Sequence, residues 1–285
     1  MKIPVYVASA FSKNHKGGNK AGVVFDENGL TTTQKMAIAK QLGYAETAFM
    51  SESEIADYKI EYFTPKEEVD LCGHATIGSF AILMHLNKLF RNRYTIETNS
   101  GVLTITIKGD VIFMEQNRPM FYDVVPPNEL IDCFDIKTLD REYPTQIVST
   151  GLKDILIPIK SEVQLHALQP DFEKIKEISK HFNVVGMHLY TFDDDRMICR
   201  NFAPLYDINE EAATGTSNGA LACYLYEQHD LEREVYVFEQ GYSLHSPSEI
   251  LVRLATNSRN EIEKVYVGGK GYYCETKDLS VENIE

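Results

Sequence analysis

The 285-residue chain lacks the features that would attach it to a membrane or to a nucleic acid. No apolar run approaches the roughly 20 residues that span a bilayer. The N-terminus enters a strand pattern at residues 3–8, without the charged leader and cleavage site of a signal peptide. No basic run that could follow a phosphate backbone is present and the formal net charge is −14, so we expect no nucleic-acid partner. We expect a cytoplasmic protein that binds neither membrane nor nucleic acid.

The chain is also poor in the patterns that indicate metal centres and disulfides. Its five cysteines are odd in number and scattered, and no two have metal-finger spacing. The eight histidines form no H-x-x-x-H pattern. A chain of this size does not need disulfide staples, which agrees with a reducing cytoplasm. We therefore expect no metal and no disulfide.

The most informative stretch that is present covers residues 61–83. Phe63-Thr64-Pro65 closes an extended segment, since proline removes a strand donor. Acidic residues then lead to Cys72-Gly73-His74, and residues 75–83 are almost entirely apolar or small. A helix that is apolar on nearly all sides is buried. Its first amide groups and the positive end of its dipole then need an acceptor inside the protein, and a bound carboxylate is a natural one.

A second stretch repeats this design. Phe202-Ala203-Pro204 is followed by the acidic pair Glu210 and Glu211, and then by Thr214-Gly215 and the apolar run at residues 220–225. Internal repetition of this kind predicts a chain built of two like halves.

The predicted fold class is α+β. Short strands joined mostly by turns predict two pseudo-symmetric halves, each a curved, mostly antiparallel sheet around one central helix. Residues 119–128 show little periodicity and contain Pro126-Pro127, so we place the boundary there. The first half is then residues 1–120, joined by the C-terminal segment 272–285, and the second half is residues 121–271.

Glu46 is the first candidate catalytic residue. It lies in a predicted strand at residues 45–50, among Tyr44, Ala45, Ala48 and Phe49. Burial beside apolar groups raises the pKa of a carboxyl toward neutrality, as a general base requires. The alternative interpretation is a strand residue that faces solvent.

Other candidates also have two interpretations. Cys72 is either a thiolate at a helix N-terminus or a buried apolar cysteine. Thr214 occupies the symmetric position in the second stretch, so a two-thiol proton relay lacks its second half. Glu210 and Glu211 are either helix-dipole partners or acid/base groups. The glycine-rich loop at residues 16–22 favours a turn over a ligand-binding loop.

Several motifs, in order along the chain, resemble the phenazine-biosynthesis isomerase (PhzF-like) family. They are Gly18-Asn19-x-Ala21-Gly22-Val23, Glu46-Thr47-Ala48-Phe49, Glu68-Val69-x-Leu71-Cys72-Gly73-His74-Ala75-Thr76, Arg200-x-Phe202-Ala203-Pro204 and Ala213-Thr214-Gly215-Thr216-Ser217. The resemblance implies a diaminopimelate-epimerase-type fold with the active site in the cleft between the halves. It also implies a cofactor-free isomerase, often a homodimer, that acts on a small carboxylate-bearing substrate.

The resemblance also implies roles for individual residues. Glu46 matches the glutamate that moves the proton, and Glu211 falls where an aspartate is usual. His74 and the Gly73 amide match a substrate-binding position. The full implied substrate-binding set is Asn19, Cys72, Gly73, His74, Gly215, Thr216 and Ser217.

Three functional hypotheses follow. The first is an isomerase in which Glu46 is the general acid/base and the helix N-termini at Gly73 and Gly215 bind a substrate carboxylate. The second is a one-cysteine racemase or epimerase that uses Cys72. The third is a non-catalytic small-molecule binder with the same fold.

Overall fold

The computed structural model describes residues 2–193 and 196–280, and it divides into two compact units. The first unit is Met1–Glu115 with Gly268–Glu285, and the second is Gln116–Val267. Of the predicted C-terminal segment 272–285, residues 281–285 lie outside the described residues.

The first unit contains eight strands that lie wholly or almost wholly within it, part of a long last strand, and two helices. The strands are β1 (Lys2–Ala10), β2 (Asn19–Phe25), β3 (Thr47–Ser51), β4 (Tyr58–Phe63), β5 (Glu68–Val69), β6 (Arg93–Thr98), β7 (Gly101–Lys108), β8 (Val111–Gln116) and β17 (Ile262–Ser280), and the helices are α1 (Thr32–Leu42) and α2 (Gly73–His85).

Pairing in this unit is mixed, with antiparallel neighbours in the majority. β1 pairs antiparallel with both β2 and β17, and β2 pairs parallel with β3. β3 pairs antiparallel with β4, which continues parallel to β6, and β6 and β7 lead antiparallel to β8. β8 in turn pairs with β17, which also pairs with β1, so the order of paired strands in this unit closes on itself.

Helix α1 follows directly from its sequence signals. Thr31 and Gln34 form a capping box, in which each side chain bonds the other residue's backbone amide. The helix ends at Gly43, whose φ of 68° is a conformation that glycine adopts without strain.

Helix α2 is the buried helix that the sequence predicts. Every residue from position 74 to position 83 is buried, and the helix packs against β1, β2 and β3. With all of its faces covered, α2 needs apolar and small residues all round.

The second unit contains eight strands and three helices. They are β9 (Met120–Val124), β10 (Gln146–Ser149), β11 (Lys153–Pro158), α3 (Glu162–Ala167), α4 (Phe172–Phe182), β12 (Gly186–Asp193), β13 (Arg196–Ala203), β14 (Ile208–Glu211), α5 (Gly215–Gln228), β15 (Tyr236–Gln240) and β16 (Ser248–Thr256).

The sheet of the second unit is also mixed. β9, β10 and β11 pair antiparallel in sequence order, and β11 pairs parallel with β12. β12 pairs antiparallel with β13, which contacts β14 antiparallel and β15 parallel, and β15 pairs antiparallel with β16. Helix α5 is buried from position 217 to position 225 and packs against β10, β11 and β16.

Three local expectations from the sequence were wrong. Residues 119–128 are not irregular throughout, since residues 120–124 form β9, which pairs with β10 and has no buried residue. Not every strand is short, because β17 has 19 residues. Glu46 is not in a strand, because β3 begins one residue later, at Thr47.

Candidate active site

The first group of candidate residues surrounds the beginning of α2. Cys72 has extended backbone angles, φ −139° and ψ 113°, and the helix starts at Gly73. Cys72 and His74 are 7% and 6% exposed. In any α-helix the first amide groups have no acceptor within the helix, so this buried start presents N–H groups and a positive dipole end.

Glu46 lies beside these residues. Its Oε2 atom is 3.2 Å from Nε2 of His74, and its side chain is 16% exposed. The Cys72 Sγ atom lies 3.4 Å from His74 Nδ1 and 3.9 Å from Nε2. The structure therefore brings together a carboxyl from the residue before β3 with a thiol and an imidazole from the start of α2.

The surroundings of Glu46 change its acidity. Burial raises the pKa of this carboxyl from 4.5 to about 7, and a hydrogen bond from Cys72 partly offsets that effect. The cause is loss of solvation, which disfavours the charged form. The alternative of a glutamate that faces bulk solvent does not describe this side chain.

The same three residues also form a group that could hold a metal ion. One potential ligand atom from each of Glu46, Cys72 and His74 lies within 4.8 Å of the others. Cysteine and histidine spacing gave no sign of a metal set here, because Glu46 is distant in the sequence and the set includes only one histidine.

Asn19 lies at the start of β2, opposite Ala10 of β1. The glycine-rich loop before it is a hairpin connection, as the sequence favoured, and Lys13 and Lys16 pair within it. Gly18 is required there, since a Cβ would lie 2.5 Å from the Ala10 carbonyl oxygen and its φ is 82°.

The second group of candidates lies where α5 begins, in the second unit. Thr214 precedes the helix, and its hydroxyl donates a hydrogen bond of 2.6 Å to Oε2 of Glu211. Gln240 holds both residues: its amide nitrogen donates to the Glu211 carbonyl at 2.8 Å and to the Thr214 hydroxyl at 3.1 Å. Its side-chain oxygen accepts from the Thr214 backbone amide at 3.3 Å. The Glu211 carboxylate is thus tied to the helix start.

A buried hydrogen-bond network continues from Gln240 through the unit. Asn218 donates to Gln240 Oε1 at 2.9 Å and lies 3.3 Å from His188 Nε2 through its own oxygen. The amide of Asn201 donates to His188 Nδ1 and to Ser217 Oγ, at 3.3 and 3.2 Å. Since Nδ1 accepts, Nε2 carries the proton and donates to Asn218.

The network ends at Asp154, whose carboxylate accepts a hydrogen bond of 2.6 Å from Ser217. Burial raises the pKa of Asp154 to about 6, and hydrogen bonds from Ser217 and the Gly186 amide lower it in part. Burial also lowers the pKa of His188 to about 4, so the imidazole is neutral at physiological pH. The Ser217 hydroxyl is therefore committed to this network, between Asn201 and Asp154.

Glu210 and Glu211 have different partners in the structure, a difference that the sequence alone did not indicate. Both oxygens of Glu210 accept hydrogen bonds from the Arg200 guanidinium, at 2.9 and 2.8 Å. Arg200 also donates to the carbonyls of Leu165 and Leu168. Glu210 is therefore a structural ion-pair partner. Strand alternation was the available signal, because neighbours in β14 point to opposite faces.

Thr216 and Gly215 lie in the first turn of α5. The Thr216 carbonyl accepts a hydrogen bond of 3.2 Å from the Thr150 hydroxyl in the loop after β10. This bond fixes the first turn of the helix, where the amide groups lack intrahelical acceptors.

No helix among the described residues is both long and apolar enough to cross a membrane.

Comparison with known proteins identifies the family. Residues 8–277 match the family described as phenazine biosynthesis-like protein, PhzC-PhzF. The uncharacterised isomerase YfhB of Bacillus subtilis is 30% identical over 285 residues, which cover 95% of this chain and 97% of the relative. The trans-2,3-dihydro-3-hydroxyanthranilate isomerase of Pseudomonas chlororaphis is 27% identical over 274 residues, covering 93% of this chain and 95% of that protein.

Solved structures agree with this assignment. The crystal structure of a Bacillus anthracis PhzF-family protein has a TM-score of 0.90 and 28% identity, covering 99% of this chain and all of that chain. A hydroxyproline epimerase from Agrobacterium vitis, at 9% identity, has a TM-score of 0.68 and covers 100% of this chain and 92% of its own. That likeness shows the fold, which proline racemases and diaminopimelate-epimerase-like proteins share. The chain is therefore an isomerase that belongs to the phenazine biosynthesis-like (PhzC-PhzF) family.

Proposed function

We propose that this isomerase moves a proton on a small carboxylate-bearing substrate, with Glu46 as the general acid/base and no cofactor. The observation that carries the proposal is the position of the Glu46 carboxyl, buried and 3.2 Å from His74 Nε2 at the start of a buried helix. A carboxyl in such a place can take a proton from carbon and return it to another atom of the same substrate.

The helix start supplies the complementary charge. Amide groups around Gly73, together with the dipole of α2, would attract the substrate carboxylate and stabilise negative charge that develops when the proton leaves. His74 would orient the substrate or the Glu46 carboxyl by hydrogen bonding.

The second helix start is proposed to contribute in the same way. Gly215, Thr216 and Ser217 would present amide groups to the substrate. Glu211, held by the Thr214 hydroxyl, would be a second acid/base group. On this proposal α2 and α5 are equivalent central helices of two pseudo-symmetric halves.

The name of the Pseudomonas chlororaphis relative suggests the first substrate to test, trans-2,3-dihydro-3-hydroxyanthranilate. It carries a carboxylate, which the helix starts would bind. A panel of small cyclic amino acids and hydroxy acids extends the search if that compound is not turned over.

A second candidate function has one specific observation in its favour. The Cys72 thiol lies 3.4 Å from His74 Nδ1, which could accept its proton, so a one-cysteine racemase or epimerase remains an alternative. Thr214 at the corresponding position of α5 cannot supply the second thiol.

Variants distinguish the two functions. Glu46→Gln is expected to lower turnover by about 10²–10⁴-fold, the usual contribution of a positioned acid or base. Cys72→Ser is expected to retain most of the turnover, and Glu54→Gln, a change at an exposed glutamate, is the matched control. Product formation followed by NMR, with circular dichroism to verify folding, makes the comparison.

Two outcomes would contradict the proposal. Full turnover in Glu46→Gln would remove Glu46 from the mechanism, and near-total loss in Cys72→Ser alone would assign it to the thiol. Ligands that raise the melting temperature of the wild type without any exchange at carbon would indicate a non-catalytic binder.

A further inference from the structure

We propose that Glu46, Cys72 and His74 together form a binding site for a thiophilic divalent cation, with Zn²⁺ as its best match. We call these three side chains the cluster. Neither the family assignment nor the proposed reaction calls for a metal here, so this is a separate property of the same residues.

The composition of the cluster selects the ion. A thiolate, an imidazole and a carboxylate are the three ligand types that zinc binds in proteins. Hard cations such as Mg²⁺ and Ca²⁺ prefer sets made entirely of oxygen atoms, which a thiol and an imidazole do not provide. Three protein ligands also leave one tetrahedral position for water or a small anion.

Two distances in the cluster are close to those that tetrahedral coordination requires, and the third pair, Cys72 and Glu46, lies within 4.8 Å. Ideal tetrahedral zinc bond lengths place a nitrogen and an oxygen ligand about 3.3 Å apart, and a sulfur and a nitrogen ligand about 3.6 Å apart. The His74 Nε2 and Glu46 Oε2 atoms are 3.2 Å apart, and Cys72 Sγ and His74 Nε2 are 3.9 Å apart. Small side-chain rotations would therefore suffice to close the cluster around one ion.

The state of the Glu46 oxygen gives independent support. Its Oε2 atom is buried and accepts no hydrogen bond among the described residues, although Nε2 of His74 is 3.2 Å away. A buried acceptor with no donor carries a free-energy cost, which a bound cation would remove.

Burial of the ligands strengthens the site. Cys72 and His74 are almost inaccessible, so a bound ion would be screened little by solvent. Glu46 retains 16% exposure, which leaves a route for the ion to reach the cluster.

The test measures binding of Zn²⁺ to the full chain without any substrate, so its outcome does not depend on the proposed reaction. Competition with a chromophoric chelator is expected to show one tight site per chain for Zn²⁺ and none for Mg²⁺. Co²⁺ in place of Zn²⁺ is expected to give a thiolate-to-metal charge-transfer band in the near ultraviolet and the intense visible bands of tetrahedral cobalt.

Variants assign the site to the cluster. Cys72→Ser and His74→Gln should each weaken Zn²⁺ binding by at least about tenfold, since even loss of an outer-shell partner costs that much. Cys274→Ser removes a partly exposed thiol outside the cluster and should leave binding unchanged.

Three results would overturn the proposal. They are no Zn²⁺ binding by the wild type, a Co²⁺ complex without a thiolate band, and unchanged affinity in Cys72→Ser. The cobalt spectrum of the wild type decides the question even if a variant fails to fold.

Discussion

At the scale of single residues, the second unit contains a titratable pair whose surroundings disfavour charge. Asp154 and His188 are both buried at the ends of one hydrogen-bonded route through Ser217 and Asn201. Burial raises the pKa of the acid to about 6 and lowers that of the base to about 4. Each group therefore contributes its own pH dependence to folding, with opposite sign.

The effect of Asp154 has a definite sign. Its folded pKa is above the unfolded value of 3.8, so its contribution to stability is complete below about pH 4 and is lost as the pH rises to about 6. Asp154→Asn removes this loss while keeping an oxygen that accepts from Ser217. Relative to the wild type, the free energy of unfolding of the variant should rise by up to about 3 kcal/mol across that pH window. Above the window this difference should stay constant.

Urea unfolding of both proteins between about pH 4 and pH 8 measures this difference. Contributions of other groups, His188 included, cancel when the two curves are subtracted. A difference that does not change with pH would show that Asp154 is not desolvated as the structure indicates.

At the scale of secondary-structure elements, close packing between strands places tight limits on side-chain size. Gly186, at the start of β12, lies against Phe202 of β13. A Cβ added at Gly186 would be 2.0 Å from the Phe202 carbonyl oxygen and 3.0 Å from Ala203 Cα. These are backbone atoms, so the overlap can be relieved only by moving the strand.

Gly186→Ala should therefore destabilise the protein by about 1–3 kcal/mol or more, as overpacking does. The matched control is Gly78→Ala in α2, where the new Cβ would meet Ala8 at an ordinary 3.4 Å. Because alanine is favoured over glycine inside helices by about 1 kcal/mol, the control should be neutral or stabilising. Thermal melts followed by circular dichroism compare the two. Equal melting temperatures would contradict the close strand contact.

Elements of this kind were partly predictable from the sequence. The apolar run after Gly73 determines a buried helix, so α2 was predicted correctly. The capping box at Thr31 and Gln34 is a local signal of the same kind for α1. Strand β9 was missed because four of its five residues are exposed, so no alternation of buried and exposed positions marks it in the sequence. The length of β17 was missed because its last part, residues 275–280, is mostly polar and contains no buried residue that would mark a strand face.

At the scale of the whole molecule, the family and the isomerase class were predicted from ordered motifs, and comparison confirmed them. The grouping of Glu46 with His74 and Cys72 was reached through that resemblance. The buried network of Asp154, His188, Asn201 and Gln240 was not predictable, because its members lie on four strands whose spatial order no local pattern specifies.

The chemistry proposed for the molecule depends on the carboxyl of Glu46. This carboxyl lies beside the start of α2, 3.2 Å from His74 Nε2, and the transfer of a proton to and from carbon is the step that we propose for it.

The most direct measurement is deuterium incorporation at carbon over many turnovers in D₂O, with the substrate proposed above and detection by NMR. The wild type should accumulate deuterium in the substrate and product pool, because the Glu46 carboxyl exchanges its proton with solvent between turnovers. Glu46→Gln should do so about 10²–10⁴-fold more slowly. Incorporation by Glu46→Gln at the wild-type rate would contradict the account.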